Sequence, residues 1–453
     1  MPNSLDLIIS GAEVVAPDPK SSGSPAPLRR EKADIGIRDG QIVAISSSGL
    51  SQPTKTRMKA DGLVALPGAI DTQVHFRDPG FAEKEDLQSG SRAALVGGVT
   101  SFFDMPNTKP PTLSAIDVAD KLSRAENRCW VNYAFYVGGS PENAARLGEL
   151  EKLPGVCGVK IFMGSSTGKL IIGSDQNLEI AVQAIQRRFS VHSEDEERLQ
   201  ARKHLVTDQP GHVERHPLWR DEETALIATK KLIALAEKYQ KRAHVLHVTT
   251  AEEAALLSQH KKYVSFEVTP QHLTLAAPEC YERLGTLAQM NPPIREQRHQ
   301  DALWQAVQKG WADVIGSDHA PHTLAEKRGV YPNTPSGLTG VQTLLPLMLH
   351  HSVSGRLSLE RVVEMTAQKP AELFQIKNKG ALRPGYDADI TLVDLKSERV
   401  IKNSWIESKC GWTPYDGMTI KAWVAATVVR GQIAMREGEI IGRPLGRPLQ
   451  FSY

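Results

Sequence analysis

The chain has few cysteines and almost no net charge, and both absences exclude functions. Its 453 residues include four cysteines, with no CxxC pair among them, and carry a formal net charge of +2. Scattered cysteines argue against a disulfide framework or a cysteine zinc site and favour a reducing cytoplasm. Balanced acids and bases without a basic stripe argue against nucleic acid as a partner. We therefore expect a cytoplasmic protein that acts on a small molecule.

Long apolar runs are missing as well. No uninterrupted apolar stretch reaches the roughly 20 residues that a membrane-spanning helix needs. Residues 1–7 lack the basic region and apolar core that are typical of a signal peptide. We therefore expect neither a secretory leader nor membrane association.

The middle of the chain alternates short apolar runs with helical patterns, such as those over residues 224–239 and 251–259. This alternation predicts βαβ units and a parallel sheet. About eight strands, and no glycine-rich dinucleotide turn, favour a closed (β/α)8 barrel of the TIM type over an open doubly wound sheet. The strand candidates are 63–66, 100–103, 131–136, 159–162, 190–192, 244–247, 264–268 and 314–316.

Both ends of the chain show short strands instead. Residues 33–37 and 41–45 flank Asp39-Gly40, and residues 423–429 and 432–435 flank Arg430-Gly431. Such pairs between apolar runs are typical of hairpins, and an isolated hairpin is only marginally stable. We therefore predict one small β-sandwich domain built from residues 1–66 and 383–453, with the barrel, residues 67–382, inserted between them.

Polar residues lie at or just beyond the ends of apolar runs: His75, Lys160, His192, His247 and Asp318. Taken singly, each is explained by hydrogen bonding, ion pairing or helix capping. In a barrel, however, the carboxyl ends of the strands converge on the active-site face. Imidazole and carboxylate are ligands that suit zinc, so the set predicts a metal site.

Lys160 is the unusual member, because an ammonium has no lone pair to offer. Nearby cations favour the neutral amine, and a neutral amine can add carbon dioxide. The resulting carbamate is an anionic ligand that can bridge two metal ions. Carbamylation of Lys160 is therefore a hypothesis, since the sequence shows only the lysine.

Ordered motifs surround these positions. They are Gln73-Val74-His75-Phe76-Arg77-Asp78-Pro79-Gly80, Lys84-Glu85-Asp86, Asp104-Met105-Pro106-Asn107-Thr108, Gly158-Val159-Lys160, Val191-His192-Ser193-Glu194-Asp195, Leu246-His247-Val248-Thr249, Met290-Asn291-Pro292-Pro293 and Ser317-Asp318-His319-Ala320-Pro321-His322. The set resembles the dihydroorotases, cyclic amide hydrolases of the amidohydrolase superfamily, in order from about Pro67 to Gly385. One short motif is weak evidence, but an ordered set is strong.

The resemblance implies reversible hydrolysis of (S)-dihydroorotate to N-carbamoyl-L-aspartate, a step in the biosynthesis of pyrimidines (UMP). His75 would bind the more exposed of one or two zinc ions, Lys160 as a carbamate would bridge them, and His192 and His247 would hold the second ion. Asp318 would be both a ligand and the catalytic proton carrier, which takes a proton from the attacking hydroxide and passes it to the leaving nitrogen.

The same resemblance implies a set of substrate contacts. Dihydroorotate carries a carboxylate, for which Arg77 offers a rigid bidentate donor. The other contacts would come from Asn107, His322, Asn291 and the backbone around Ser336 and Gly337. The role of His319 stays open, because packing alone would explain it.

Two positions depart from the family pattern. Gln73 stands where the first histidine of the signature is expected, and Gln271 stands where a histidine pair is expected. Glutamine can offer a carbonyl oxygen but is a poorer zinc ligand than imidazole. We therefore expect weaker binding of the exposed ion and leave open whether Gln73 is a ligand. Gln271 has no ligand role in this interpretation.

Two other functions stay open. Allantoinases and hydantoinases share the fold and the ligands but act on rings without this carboxylate, and the motifs around Arg77 and Asn107 favour a dihydroorotase. A catalytically impaired dihydroorotase-like subunit that supports aspartate transcarbamoylase is the second alternative, and it rests on Gln73 alone. A homodimer is the assembly that the family resemblance implies.

Overall fold

The computed structural model describes residues 4–18, 26–166 and 170–452, and its strands form two sheets. The strands are β1 (Leu5–Pro17), β2 (Leu28–Arg38), β3 (Gln41–Ser46), β4 (Thr54–Lys59), β5 (Val64–Pro67), β6 (Ala69–Val74), β7 (Val99–Asp104), β8 (Asn132–Gly138), β9 (Val156–Phe162), β10 (Phe189–His192), β11 (Ala243–Val245), β12 (Val264–Val268), β13 (Val314–Ile315), β14 (Ile390–Val400), β15 (Thr419–Val429), β16 (Gln432–Arg436) and β17 (Glu439–Ile440).

Helices connect the central strands, and the predicted helical stretches are confirmed. The α-helices are α1 (Leu87–Val96), α2 (Ala115–Ala125), α3 (Leu147–Leu150), α4 (Asp175–Ala184), α5 (Glu196–Arg202), α6 (His204–Thr207), α7 (His216–Trp219), α8 (Glu222–Lys238), α9 (Ala251–Ser258), α10 (Pro270–Thr274), α11 (Glu279–Leu284), α12 (Gln297–Gln308), α13 (Leu324–Lys327), α14 (Leu344–Val353), α15 (Leu359–Val363) and α16 (Lys369–Leu373). Within the described ranges, no helix has both the length and the apolar character that crossing a bilayer requires.

The central sheet is the predicted TIM-type barrel. Its eight strands, β6 to β13, lie in chain order, and neighbouring strands pair in parallel. A further parallel bridge joins Val74, at the end of β6, to His319 in the segment after β13, and the His75 N–H donates to the His319 carbonyl at 2.8 Å. These contacts close the ring of strands.

Burial explains why these segments form strands and helices. Every residue of β7, β8 and β9 is buried, as expected for a parallel sheet that is covered on both faces. The longest helix, α8, is capped by Asp221, whose side chain accepts from the Thr224 N–H. Its buried residues, including Ala225, Ala228 and Leu232, recur at helical spacing and pack on the sheet.

One predicted strand position is wrong. Residues 63–66 were expected to open the barrel, but they form β5, which pairs with β1 and β14 in the other sheet. The first barrel strand is β6, whose sequence contains the buried polar residues Asp71, Thr72 and Gln73. These polar residues interrupt the apolar run on which the prediction depended.

The second sheet is built from both ends of the chain, as predicted. It has nine strands, in the order β17-β16-β15-β14-β5-β1-β2-β3, with β4 paired to β1. A bulge between Ile9 and Ala12 divides β1, so that its first half pairs with β4 and its second half with β5. The antiparallel pairing of β5 with β14 joins the two chain ends, while the domain boundaries at residues 66 and 383 stay a prediction.

Candidate metal centre and substrate pocket

The predicted ligands meet at the carboxyl ends of the barrel strands. His75, Lys160, His192, His247 and Asp318 all line one cavity of about 20 Å³. A cavity of that size holds about one water-sized occupant. The list of lining residues also includes Gln73, Asn291, Ser336 and Gly337, which the sequence placed in the site.

Backbone geometry marks the same positions. Arg77, His247 and Asp318 have φ angles of 62°, 39° and 44°, in the left-handed region that residues other than glycine seldom adopt. Such conformations persist only where the surrounding structure enforces them, and they cluster at functional sites. Here each one lies two or three residues after a barrel strand, and His247 and Asp318 line the cavity.

A buried carboxylate sets the tautomer of His192. The His192 Nε2 lies 2.7 Å from the Glu194 Oε2, and the Arg220 Nε donates to both Glu194 oxygens at 3.1 Å. Burial opposes ionisation of Glu194, but the charge of Arg220 and the hydrogen bond from His192 hold its pKa well below the usual range. The ionised carboxylate therefore accepts the Nε2 proton, and the Nδ1 of His192 keeps a lone pair.

That lone pair faces the second histidine. The Nδ1 of His192 lies 3.1 Å from the Nε2 of His247. Two nitrogen ligands of one tetrahedral zinc ion are about 3.3 Å apart, so this pair is already spaced as a pair of ligands. Burial lowers the pKa of both imidazoles, and neutral imidazole is the form that binds metals.

Three buried polar atoms in the cavity wall have no hydrogen-bond partner among the described residues. They are the Lys160 Nζ, the His247 Nδ1 and the Gln73 Oε1. Burial also lowers the pKa of Lys160 to about 7, which gives a large population of neutral amine at neutral pH. Unpartnered buried polar atoms are rare in proteins. The Lys160 amine and the Gln73 carbonyl line the same cavity as the two inner histidines, which fits a site for a metal ion.

The outer side of the cavity is organised around Asp318. The Gln73 Nε2 donates to the Asp318 Oδ1 at 2.8 Å, and the His75 Nε2 lies 3.3 Å from the same oxygen. The His75 Nδ1 faces the Asn107 Oδ1 at 2.7 Å and must donate to it. The neutral ring therefore turns its Nε2 lone pair toward the carboxylate oxygen, an arrangement that a cation between them would stabilise.

The residues predicted to bind the substrate carboxylate lie next to this side, where Asn107 contacts His75. Arg77 is buried, its Nε donates to the Pro321 carbonyl at 3.2 Å, and its Nη2 donates to the His322 Nε2 at 3.1 Å. Among the described residues, no carboxylate lies within ion-pair distance of this guanidinium. Burial lowers the pKa of Arg77 to about 10, so the group stays charged at neutral pH. It is a buried cation without an ion-pair partner among the described residues, and the charges of Asp318 and Asp104 act on it from beyond ion-pair distance.

Several supporting residues escaped sequence analysis. The His216 Nε2 donates to the Asn291 Oδ1 at 2.9 Å, and its Nδ1 accepts from the Tyr331 hydroxyl at 3.0 Å, which orients Asn291. Arg220 is also remote in sequence from the histidine that it influences through Glu194. Glu194 lies inside the His192 motif, so it is the one supporting residue that a sequence motif could have indicated. The contacts of His216 and Arg220 form only in the folded chain.

The structure assigns His319 to packing rather than to the cavity. Its Nδ1 accepts from the backbone N–H groups of Gly340 and Val341, and its Nε2 lies 3.3 Å from the buried Glu85 Oε2. Both ring nitrogens are thus used to hold the segment that carries Asp318. Gln271, the second departure from the family pattern, is buried below the site and donates to the Ser317 carbonyl at 2.5 Å.

A second group of ligand-type residues lies elsewhere. The ligand atoms of Glu222, Glu296 and His299 all lie within 4.8 Å of one another. However, the His299 Nδ1 accepts from the Ala251 N–H at 3.1 Å, and its Nε2 lies 3.2 Å from the Glu222 Oε1. Both nitrogens are therefore satisfied inside the protein, which leaves no lone pair for a metal. We assign this group to an ordinary helix–helix contact.

The amidohydrolase family model matches residues 64–434, which span the whole barrel and strands β5, β14 and β15 of the second sheet. The chain belongs to the amidohydrolase family, so the resemblance found in the motifs is confirmed. The dihydroorotase of Pyrococcus abyssi is 36% identical over 91% of this chain and 93% of its own length. That of Methanothermobacter thermautotrophicus is 32% identical over 90% of this chain and 92% of its own.

Solved structures of related enzymes share the whole architecture. The L-hydantoinase (dihydropyrimidinase) of Arthrobacter aurescens is 29% identical, with a TM-score of 0.91 that covers 98% of this chain and 99% of that one. The D-hydantoinase (dihydropyrimidinase) of a Thermus species is 25% identical, with a TM-score of 0.85 over 97% and 98%. The sequence relatives and the structural relatives thus act on different cyclic amides.

Proposed function

We propose that this protein is a dihydroorotase, an enzyme that reversibly hydrolyses (S)-dihydroorotate to N-carbamoyl-L-aspartate in pyrimidine biosynthesis. The observation that carries the choice of substrate is Arg77, a buried guanidinium two residues after His75 that has no ion-pair partner among the described residues. A buried charge is costly unless it is paired. The carboxylate of dihydroorotate would supply that pair, and Asn107 and His322 would complete its binding site.

The cyclic amide ring would lie against the opposite wall. Asn291, Ser336 and Gly337 line the cavity and would meet the ring and its amide edge. His216 donates to the Oδ1 of Asn291 and so fixes that side-chain amide. The Nδ2 group of Asn291 is then the end that is presented to a ligand.

One or two zinc ions would be held by His192, His247, Lys160 as a carbamate, His75 and Asp318. A bound ion would supply Lewis acidity, which polarises the ring carbonyl and activates water. The unpartnered Lys160 Nζ and the spacing of the two inner histidines support this ligand set. Gln73 supports a weaker outer position, because its amide nitrogen is engaged with Asp318 and only its oxygen remains.

Asp318 would move the proton. It would accept a proton from the attacking water and deliver it to the leaving amide nitrogen, the general acid–base role. The hydrogen bond from the Gln73 Nε2 occupies the Asp318 Oδ1 and holds the carboxylate in one rotamer. The Oδ2 is then the atom that carries the proton.

The test is ring opening of dihydroorotate, hydantoin and allantoin, measured side by side on the purified protein together with its metal content. The structural similarity to hydantoinases favours hydantoin as the competing substrate. We expect turnover of dihydroorotate, and turnover of hydantoin alone would contradict the proposal. Protein without turnover and without metal, but in stable association with aspartate transcarbamoylase, would instead support the impaired-subunit alternative.

Arg77→Met sharpens this test. Loss of the guanidinium removes a charge-assisted bidentate contact, so we expect kcat/KM for dihydroorotate to fall at least about a hundredfold. Any activity on uncharged hydantoin should stay within about threefold, because that ring has no carboxylate for Arg77 to bind. Equal losses on both rings would assign Arg77 to general folding of the site.

We further propose a cytoplasmic homodimer. The four cysteines are buried free thiols, which suits a reducing compartment. Light scattering on the purified chain, alone and mixed with aspartate transcarbamoylase, distinguishes a monomer, a dimer and a hetero-complex.

A further inference from the structure

A lysine without an acidic partner is buried behind the substrate pocket. Lys327, the last residue of α13, is 0% exposed, and burial alone lowers its pKa to about 7. Two other lysines with buried side chains differ: Lys121 pairs with Asp104, and Lys379 pairs with Asp387 and Asp389. Lys160, which is also buried, lies among the predicted metal ligands. Burying an unpaired ammonium is unfavourable unless its donors are fully used.

Three backbone carbonyls use these donors. The Lys327 Nζ donates to the carbonyls of Gln289 at 2.9 Å, Pro335 at 3.0 Å and Gly337 at 3.1 Å. Three accepting carbonyls use all three N–H groups of an ammonium, so these hydrogen bonds favour the charged form of Lys327 against the effect of burial on its pKa. The carbonyls belong to two separate stretches of chain, residues 289–291 and 334–338, which we call the pocket wall.

The two stretches of the pocket wall carry residues that face the ligand cavity, namely Asn291, Ser336 and Gly337. The Gln289 side chain joins the stretches as well, because its Nε2 donates to the Thr334 carbonyl at 2.9 Å. The Gly337 N–H donates to the Gln289 carbonyl at 2.9 Å. Both backbone polar groups of Gly337 are therefore hydrogen-bonded, its N–H to Gln289 and its carbonyl to Lys327. Lys327 contributes the charge-assisted bonds of this network.

The pocket wall is tightly packed against the segment that carries Ala320. Gly337 has a φ of +145°, and a Cβ built there would lie 2.3 Å from the Ala320 carbonyl oxygen. Ala320 follows Asp318 by two residues and also lines the cavity. A small displacement of the wall would therefore change the space between it and the residue proposed to carry the proton.

We infer that Lys327 is a positioning residue that fixes the pocket wall and thereby sets the affinity for the cyclic amide edge of the substrate. This inference rests on the proposed function for the identity of that substrate. Lys327 contacts neither the ligand cavity nor the predicted metal ligands, so its influence is exerted through the backbone of Gln289, Pro335 and Gly337.

The test compares Lys327→Met with Lys379→Met, which removes another buried lysine that lies away from the cavity. For Lys327→Met we expect KM for dihydroorotate to rise about tenfold or more while kcat changes less than about threefold, because the reacting groups are untouched. For Lys379→Met we expect KM within about twofold of the native value. Similar KM changes in both variants, or a fall in kcat at constant KM, would overturn the inference.

Hydrogen exchange supplies a readout that does not depend on turnover. In Lys327→Met, the amides of residues 334–338 should exchange faster than in the native protein, while those of the barrel strands stay the same. If the native protein fails to open dihydroorotate, the proposed function fails, but the exchange result still decides the role of Lys327. Unchanged exchange in 334–338 would refute that role.

A second variant covers the case in which Lys327→Met does not fold. Lys327→Arg keeps the charge, but its planar fork cannot reach three converging carbonyls as an ammonium does. We expect a KM between those of the native protein and Lys327→Met, together with faster exchange in 334–338. A native KM and native exchange in Lys327→Arg would show that charge alone is needed and would overturn the positioning role.

Discussion

The two halves of the candidate metal centre are built differently. In the inner half, the two histidine nitrogens of His192 and His247 face each other at 3.1 Å, and the ionised Glu194 fixes one ring. In the outer half, Gln73 donates an N–H to Asp318 where a histidine would present a lone pair. The inner half is therefore ready to bind an ion, whereas the outer half is partly satisfied by the protein itself.

Removing an inner ligand should have the largest effect. We expect His247→Ala to lose bound metal and at least about a thousandfold in kcat/KM, since the Lewis acid depends on this half. His260→Ala is the matched control, because His260 is a surface histidine paired with Glu237. Metal analysis and steady-state rates measure both. A His247→Ala protein that keeps its metal would break the distinction between the halves.

Neutralising the carboxylate behind the inner half comes next. Glu194→Gln keeps the shape but removes the charge that sets the tautomer of His192, and such supporting changes cost about 10–100-fold in metal affinity. Competition with a chelator measures the affinity. Because Arg220 then loses its buried partner, unfolding in urea must be recorded too. Native metal affinity in a folded variant would contradict the role of Glu194.

Restoring a histidine in the outer half should have a smaller effect of opposite sign. Gln73→His exchanges the N–H donor to Asp318 for an imidazole ligand, so we expect the metal content to rise by about one ion per chain and the rate by several-fold. Metal analysis of the native protein and of Gln73→His at the same free zinc concentration measures this difference in metal content. If neither the metal content nor the rate changes, position 73 does not limit the outer half.

The last prediction concerns stability rather than activity, and it involves a buried acid that supports the inner half. Glu253 accepts from the hydroxyls of Thr229 and Thr250, and Thr229 in turn contacts Ser193 beside His192. Burial raises its pKa from 4.5 to about 7. Because the folded-state pKa is raised, the stability associated with the protonated form is present below about pH 4.5 and is lost as the pH rises through about 7.

Glu253→Gln mimics the protonated form at every pH. We expect its free energy of unfolding to exceed the native value by about 1–3 kcal/mol at pH 8 and to match it near pH 4.5, as measured by urea unfolding. A variant that is equally destabilised at both pH values would show that the carboxyl group is needed for its shape rather than its protonation.

The barrel and most of the site could be predicted because their signals are local. Apolar runs mark β7 to β10, and each predicted ligand lies near the end of a strand, or just beyond it, within a short motif. β6 was missed because Asp71, Thr72 and Gln73 are buried inside the barrel and break the apolar pattern. Lys327 acts through backbone carbonyls of other segments, and His216 acts through the side-chain amide of Asn291. No short sequence motif indicates such contacts.

The pairing of β5 with β14 also has a consequence for how the chain folds during synthesis. Residues 64–67 need partners at residues 390–393, so the sheet that joins the two ends cannot be completed until nearly the whole chain has left the ribosome. Until then β5 has an open edge, which is a site for misassociation. The barrel residues are made in between, so an early-forming barrel would hold the N-terminal strands in place until their C-terminal partners arrive.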